Sequence, residues 1–120
     1  MRVLIVDDSR AMRMIVRRTL RQAGYGHHTI EEAADGAEAL AMIRRASPDL
    51  VLADWNMPVM NGLELLQNLK KDGCNVSFGF VTTEGTPEMR KLASNHGANF
   101  LIAKPFTVAG FQLALDAFLG

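Results

Sequence analysis

The chain has 120 residues, with thirteen basic and thirteen acidic side chains and therefore no formal net charge. This length is typical of one domain with a proper core. A neutral chain gives no reason to expect broad binding to nucleic acids or to anionic membranes. The single cysteine, Cys74, cannot form an internal disulfide, and no apolar run approaches a membrane span. We therefore expect a protein of a reducing compartment, the cytoplasm.

Five short β-prone runs, each closed by polar or turn residues, predict strands that alternate with helices along the chain. They cover residues 3–6, 29–33, 50–53, 76–81 and 100–103. The run at 29–33 has the lowest apolar content and is predicted at an edge of the sheet. Gly79 lies inside the fourth run and suggests close approach by a neighbouring helix.

Five helices are predicted from apolar residues at helical spacing and from capping residues near their starts. The predicted starts are at Ser9, Asp35, Asn61, Thr86 and Thr107. The predicted inward stripes are Met12, Ile15, Val16 and Leu20 in the first helix, Leu40 and Ile43 in the second, Leu63, Leu66 and Leu69 in the third, and Val108, Phe111, Leu115 and Phe118 in the last.

Strands that alternate with helices through right-handed crossovers form a parallel sheet covered on both faces, an α/β fold. In such sheets ligands bind at the carboxyl ends of the strands. Four predicted strand ends carry polar side chains: Asp7 with Asp8, Asp54, Thr82 and Lys104. Each has an ordinary structural explanation by itself, such as a helix-start acid or a solvated lysine. Together they favour a site, because clustered carboxylates repel one another unless a cation lies among them.

With these strand ends in place, the chain resembles a response-regulator receiver domain, and we expect one such domain over residues 1–120. Three stretches carry the resemblance further: Asp-Trp-Asn-Met-Pro at 54–58, Gly-Leu-Glu-Leu-Leu at 62–66 and Met-Arg-Met-Ile-Val-Arg at 12–17. They are most similar to the stand-alone chemotaxis (CheY-type) members of that family. The resemblance implies a flavodoxin-like (CheY-like), doubly wound sheet of five parallel strands, in the order 2-1-3-4-5, with five helices.

The resemblance also implies a phosphoacceptor and a metal site. Asp54 would accept a phosphoryl group, because a carboxylate can act as the nucleophile and form an aspartyl phosphate. Asp8, Asp54 and the backbone carbonyl of Asn56 would be direct ligands of Mg²⁺, which prefers oxygen donors. Asp7 would act largely through water. Trp55, which follows the phosphoacceptor, is expected to be a partly exposed aromatic.

Three further residues have implied roles around the phosphoryl group. Lys104 would pair with it, the Thr82 hydroxyl would move towards it, and the Thr83 amide would be a further donor. Receivers of this kind hold the peptide bond before Pro105 in the cis form. These features belong to the resemblance and are expectations for this chain.

The implied function is a phosphorylation switch of a two-component system in which a sensor histidine kinase donates to Asp54. A phosphatase is a further expected partner. The chain contains no DNA-binding domain, so we expect a monomer that signals through contacts with other proteins. For a chemotaxis regulator, that partner would be the flagellar motor switch. The expected contact face is the fourth helix, the fifth strand and the fifth helix. The alternative within this class is a phosphate sink or relay in another pathway.

Two other classes fit less well, and no enzyme is expected. A magnesium-dependent aspartyl-phosphate hydrolase usually carries an Asp-x-Asp motif after the first strand, which residues 7–9, Asp-Asp-Ser, lack. A flavodoxin-like flavin protein needs a Ser/Thr-rich phosphate cradle in the first loop, and this loop has none.

Two positions depart from the common receiver pattern. Thr83 stands where alanine or glycine is usual, and we expect it to slow both loading and unloading of Asp54. Leu101 stands where an aromatic residue is usual, three positions before Lys104, so we expect coupling to output without an aromatic swing. Phe100 does not replace that aromatic, because successive strand residues point to opposite faces. We expect Phe100 to pack under a helix and Leu101 to lie on the output side.

Overall fold

Five parallel strands form one sheet in this computed structural model, which describes residues 1–119. They are β1 (Arg2–Val6), β2 (Thr29–Ala33), β3 (Leu50–Ala53), β4 (Ser77–Thr82) and β5 (Phe100–Ala103). Their order across the sheet is β2-β1-β3-β4-β5. The predicted strands, their parallel pairing and this order are confirmed, with bounds that differ by at most one residue. The central strand β3 is buried along its whole length, whereas β2 lies at an edge, as its composition predicts.

Five α-helices connect and follow the strands. They are α1 (Arg10–Leu20), α2 (Gly36–Arg45), α3 (Gly62–Lys71), α4 (Pro87–Asn95) and α5 (Val108–Leu119). The chain continues α1 through a wider turn, Arg21–Tyr25, inside which Gly24 has φ 97°, a left-handed conformation that glycine adopts readily and that interrupts the helix. No helix within residues 1–119 combines the length and the apolar character needed to span a membrane.

The helix starts are set by local hydrogen bonds. Each predicted starting residue except Asn61 accepts a single hydrogen bond, from the backbone N–H three residues later; these pairs are Ser9 with Met12, Asp35 with Glu38, Thr86 with Met89 and Thr107 with Gly110. Asn61 and Glu64 form a reciprocal capping box at the start of α3. These bonds satisfy N–H groups that have no partner inside the helix.

The sheet separates two apolar cores. On one face α1 and α5 cover a cluster that includes Leu20, Phe111 and Leu115. On the other face α2, α3 and α4 cover a cluster built around Phe78 and Phe80. Helices on both faces are what a sheet with apolar residues on both sides requires.

Three predictions about burial and packing are wrong, those for Ile15, Gly79 and Trp55, and two are incomplete. Ile15 is 44% exposed, because Val16, Thr19 and Leu20 form the buried stripe of α1 instead. The predicted stripes of α3 and α5 each omit one buried leucine, Leu65 and Leu119, whereas the predicted Leu63 and Phe118 are half-buried and do pack against the cores. Gly79 is approached by the ring of Phe100 on the neighbouring strand, not by a helix. Trp55 is buried: its ring packs against Phe80 with centroids 4.5 Å apart.

Candidate phosphoacceptor and metal site

Asp7, Asp8 and Asp54 meet at the carboxyl edge of the sheet. Val6 and Ala53 are register partners in the central strand pair, so the residues that follow leave the sheet at the same level. The Asp54 N–H donates to the Val6 carbonyl at 2.9 Å, and the Asp7 N–H donates to Ala33 at 3.1 Å. One carboxylate oxygen from each of the three acids lies within 4.8 Å of the others.

Lys104 follows the edge strand β5, and its side chain extends to this acid cluster. Its Nζ lies 3.2 Å from Asp7 Oδ2 and 3.6 Å from Asp54 Oδ2. The side chains of Lys104, Asp7 and Asp54 are only 9%, 5% and 15% exposed, whereas Asp8 is exposed at the rim. The peptide bond between Lys104 and Pro105 is cis, which confirms the expectation.

The charges in the cluster are unbalanced, because three carboxylates face one ammonium group. Burial raises the pKa of the Asp54 carboxyl above its ordinary value, and the nearby charge of Asp7 adds to that rise. The Lys104 charge and the Trp55 N–H, which donates to Asp54 Oδ1 at 2.7 Å, act in the opposite direction. Hard carboxylate oxygens with excess negative charge are the donor set that Mg²⁺ takes in proteins, so the residues fit that cation.

Thr82, Asn56 and Glu84 form a hydrogen-bonded chain beside the acid cluster. Thr82 is fully buried at the end of β4, and its Oγ1 accepts from the Glu84 N–H at 3.3 Å. Asn56 Nδ2 donates to Glu84 Oε1 at 3.0 Å, which joins the loop after β3 to the loop after β4. Both loops that border Asp54 are therefore held by the same residue, Glu84.

Thr83 is exposed and borders a cavity of about 320 Å³ next to Lys104. The other lining residues are Met12, Ile15, Pro105 and Phe106. This cavity explains why Ile15 is not in the core: it faces the gap between α1 and the loop that follows β5.

Leu101 and Phe100 lie on opposite faces of the sheet, as strand geometry requires. Phe100 packs against Phe118 of α5, with ring centroids 5.4 Å apart. Leu101 is half-buried in the other core, which includes Ala93 of α4. Leu101 therefore belongs to the side of the sheet that α4 covers.

Arg13 supports the site, although the sequence analysis did not single it out. Its Nη1 donates to the Asp7 carbonyl at 2.6 Å, and its Nε donates to Glu32 at 2.9 Å. Glu32 also pairs with Arg17. Helical spacing could not reveal these contacts, because the partners come from β1 and β2.

Val59, in the loop between Asp54 and α3, has φ 69°, a left-handed conformation that costs a β-branched residue about 1 kcal/mol or more. We expect Val59→Gly to raise the free energy of unfolding by about 1 kcal/mol, because glycine adopts this conformation without strain. The side chain is 82% exposed, so its loss removes little packing. Urea denaturation measures the change. Val59→Ala is the control, because it retains Cβ, and a glycine variant no more stable than it would contradict the strain.

Comparison with known proteins agrees with this geometry. Residues 3–116 match the family described as the response regulator receiver domain. The chain is 40% identical over 118 residues to chemotaxis protein CheY-3 of Vibrio cholerae, which covers 97% of this chain and 89% of that protein. It is 37% identical over 123 residues to chemotaxis protein CheY1 of Helicobacter pylori, with 100% and 98% covered. The solved structure of Vibrio cholerae CheY4 matches with a TM-score of 0.85 at 35% identity and covers 98% of each chain. Two of its relatives are chemotaxis proteins of the CheY type, and the chain belongs to the response regulator receiver domain family.

Proposed function

We propose that this protein, one receiver domain over residues 1–120, is a phosphorylation-dependent switch whose phosphoacceptor is Asp54. The observation that carries the proposal is the position of Lys104, whose ammonium group lies 3.6 Å from Asp54 Oδ2 among three carboxylates. A cation held beside a partly buried carboxylate is arranged to stabilise the charge of a phosphoryl group attached there.

The chemistry follows from the groups around Asp54. An Asp54 oxygen attacks the phosphorus atom of a donor, and the bond to the donor's leaving group breaks with its electron pair, leaving an aspartyl phosphate. Phosphoryl transfer depends mainly on positioning and charge stabilisation. Lys104 pairs with the phosphoryl oxygens, the Thr82 hydroxyl moves towards them, and the Thr83 amide donates a further hydrogen bond.

Asp8, Asp54 and the Asn56 carbonyl are the proposed direct ligands of Mg²⁺, and Asp7 contributes largely through water. The bound cation would neutralise charge on the phosphoryl oxygens. In the chain itself, Asp7 holds Lys104 in place through their 3.2 Å contact. The Asp7 carboxylate is positioned in turn by the Ser9 N–H, which donates to Oδ1 at 2.9 Å.

Mass spectrometry after incubation with acetyl phosphate and Mg²⁺ tests the phosphoacceptor. Wild-type protein is expected to gain one phosphoryl group per chain and Asp54→Asn none. Equal loading of the two proteins would disprove the assignment. Repeated turnover of a phosphoester would indicate a hydrolase instead of a switch.

The metal site predicts a fluorescence response of Trp55, because its backbone N–H donates to a carboxylate of the acid cluster. Titration of the wild type with Mg²⁺ is expected to change the Trp55 emission, and Asp8→Ala is expected to abolish the change. Asp72→Ala is the matched control, since this carboxylate pairs with Arg44 on the surface. Identical titrations of wild type and Asp8→Ala would contradict the ligand assignment.

Thr83→Ala is expected to speed loading by acetyl phosphate several-fold. The branched, exposed side chain borders the cavity beside Lys104, and we expect a small donor to approach Asp54 past it. Stopped-flow fluorescence of Trp55 measures the rate. The control is Thr29→Ala, at the amino end of β2 and far from the site, and the steric explanation fails if both variants load at the wild-type rate.

The proposed partners are a sensor histidine kinase as phosphodonor and a flagellar motor switch protein as target, with a phosphatase that ends the signal. The protein would act as a cytoplasmic monomer through α4, β5 and α5, with no contact to nucleic acid or membrane. Similarity to two proteins named as chemotaxis proteins supports this pathway. Transfer from a panel of kinases and pulldown by motor-switch peptides test it; transfer without peptide binding would favour a phosphate sink or relay.

A further inference from the structure

Arg90 in α4 bridges the loop after β4 and the edge strand β5. Its Nε donates to the Gly85 carbonyl at 3.2 Å, and its Nη1 donates to the Leu101 carbonyl at 3.1 Å. Along a strand, the backbone N–H and carbonyl groups of successive residues point alternately to one side and to the other. The Lys104 N–H points towards β4, where it donates to the Thr82 carbonyl. Leu101 is three positions earlier, so its carbonyl points the opposite way, to the free edge of β5 that Arg90 covers.

The Gly85 end of this bridge is close to the acid cluster. Gly85 follows Glu84, whose N–H donates to Thr82 Oγ1 and whose carboxylate accepts from Asn56. A Cβ on Gly85 would lie 2.8 Å from the Ala103 Cβ and 3.3 Å from Arg90 Nη2. The loop is therefore packed tightly between β5 and the guanidinium group.

We infer that Arg90 is a positioning residue that couples the state of the Thr82 loop to the free edge of β5. The inference rests on the proposed function, because it needs a phosphoryl group to draw the Thr82 hydroxyl towards Asp54. That movement withdraws the oxygen that the Glu84 N–H uses, and the Gly85 carbonyl moves with it. The guanidinium group is planar and rigid, so a change at Nε alters the bond from Nη1 to Leu101 as well.

This coupling needs no aromatic ring at position 101. Leu101 takes part through its backbone carbonyl, which any residue would supply. The arginine at position 90 provides the link, because its fork reaches two carbonyls from two elements. Lysine has no such fork and cannot bridge both oxygens in the same fixed geometry.

Nitrogen-15 NMR with Mg²⁺, before and after addition of beryllofluoride as a phosphoryl mimic, tests the inference. Three signals are followed: the backbone amide of Glu84, the backbone amide of Ile102, whose nitrogen is bonded to the Leu101 carbonyl carbon, and the Arg90 Nε–H. In wild type all three are expected to shift. In Arg90→Ala and Arg90→Lys the Glu84 amide should still shift, whereas the Ile102 shift should become several-fold smaller. Lys91→Ala, the exposed neighbour on α4, is expected to behave as wild type.

A Glu84 shift that is retained in a variant shows that the variant is folded and has bound beryllofluoride. The Ile102 shift then reports separately on the role of Arg90. An Ile102 shift of wild-type size in Arg90→Ala overturns the role of Arg90 and leaves the proposed function intact. A Glu84 amide that does not move in wild type, although acetyl phosphate loads Asp54, overturns the movement of Thr82 and the inference on Arg90 with it. Failure to load Asp54 would overturn the proposed function itself.

Discussion

Replacing Lys104 by methionine is expected to lower the free energy of unfolding by about 3 kcal/mol when divalent cations are absent. Methionine keeps most of the length of the side chain and removes its charge. Lys104 and Asp7 are only 9% and 5% exposed and lie 3.2 Å apart, so the variant leaves a buried carboxylate without its counter-charge. The loss should shrink when Mg²⁺ is added, because a cation in the acid cluster compensates the same carboxylates.

Urea denaturation with a chelator, and then with Mg²⁺, measures both parts of this prediction. Arg44→Met is the matched control, since Arg44 and Asp72 form an ion pair at 2.8 Å whose side chains are 55% and 32% exposed. Such a surface pair contributes less than about 1 kcal/mol. If Lys104→Met lowers the free energy of unfolding by no more than Arg44→Met does, the buried ion pair does not stabilise the fold as described.

Gly62→Ala is expected to lower the free energy of unfolding by about 3 kcal/mol, at the upper end of the cost of overpacking. Gly62 is the first residue of α3, and its N–H donates to the Trp55 carbonyl at 2.9 Å. A Cβ at this position would collide with the backbone carbonyl of Asp54 and lie 2.9 Å from Phe80 Cε1. The carbonyl is backbone and cannot rotate away, so α3 or the end of β3 must shift.

The same shift moves the phosphoacceptor, and we expect slower loading of Gly62→Ala by acetyl phosphate even where the variant is fully folded. Gly110→Ala is the control within α5, where the nearest atom to an added Cβ is Thr107 Oγ1 at 3.2 Å. Alanine in place of glycine in a helix favours folding by up to about 1 kcal/mol. Equal unfolding midpoints for Gly62→Ala and wild type would show that the structure accommodates the added Cβ beside the Asp54 carbonyl without loss of stability.

The elements of the fold could be predicted because their signals are local. A capping side chain bonds a backbone N–H three residues away, so Ser9 and Thr107 mark helix starts from the sequence alone. Short apolar runs closed by polar residues mark buried strands in the same way. The polar strand ends, Asp7, Asp54 and Lys104, follow from these boundaries, because parallel strands bring their carboxyl ends to one edge.

The order of the strands did not follow from periodicity. It came from the resemblance of residues 54–58 and 62–66 to receiver domains, and the sheet order confirms it. The same resemblance predicted the cis bond at Pro105, which the structure also contains. Local patterns contain neither piece of information, since both depend on how distant segments pack.

By itself the sequence determined the alternation of strands and helices, the helix starts and the acids and lysine at the strand ends. Only the tertiary structure decided which side chains are exposed and which contact a side chain or carbonyl of another element. Ile15 is exposed and Trp55 is buried against Phe80, although their sequence contexts predict the reverse. The contacts of Arg13 with Asp7 and of Arg90 with Leu101 likewise join separate elements. Spacing along the chain sets the face of a helix on which a side chain lies, whereas its neighbours depend on how the elements pack in three dimensions.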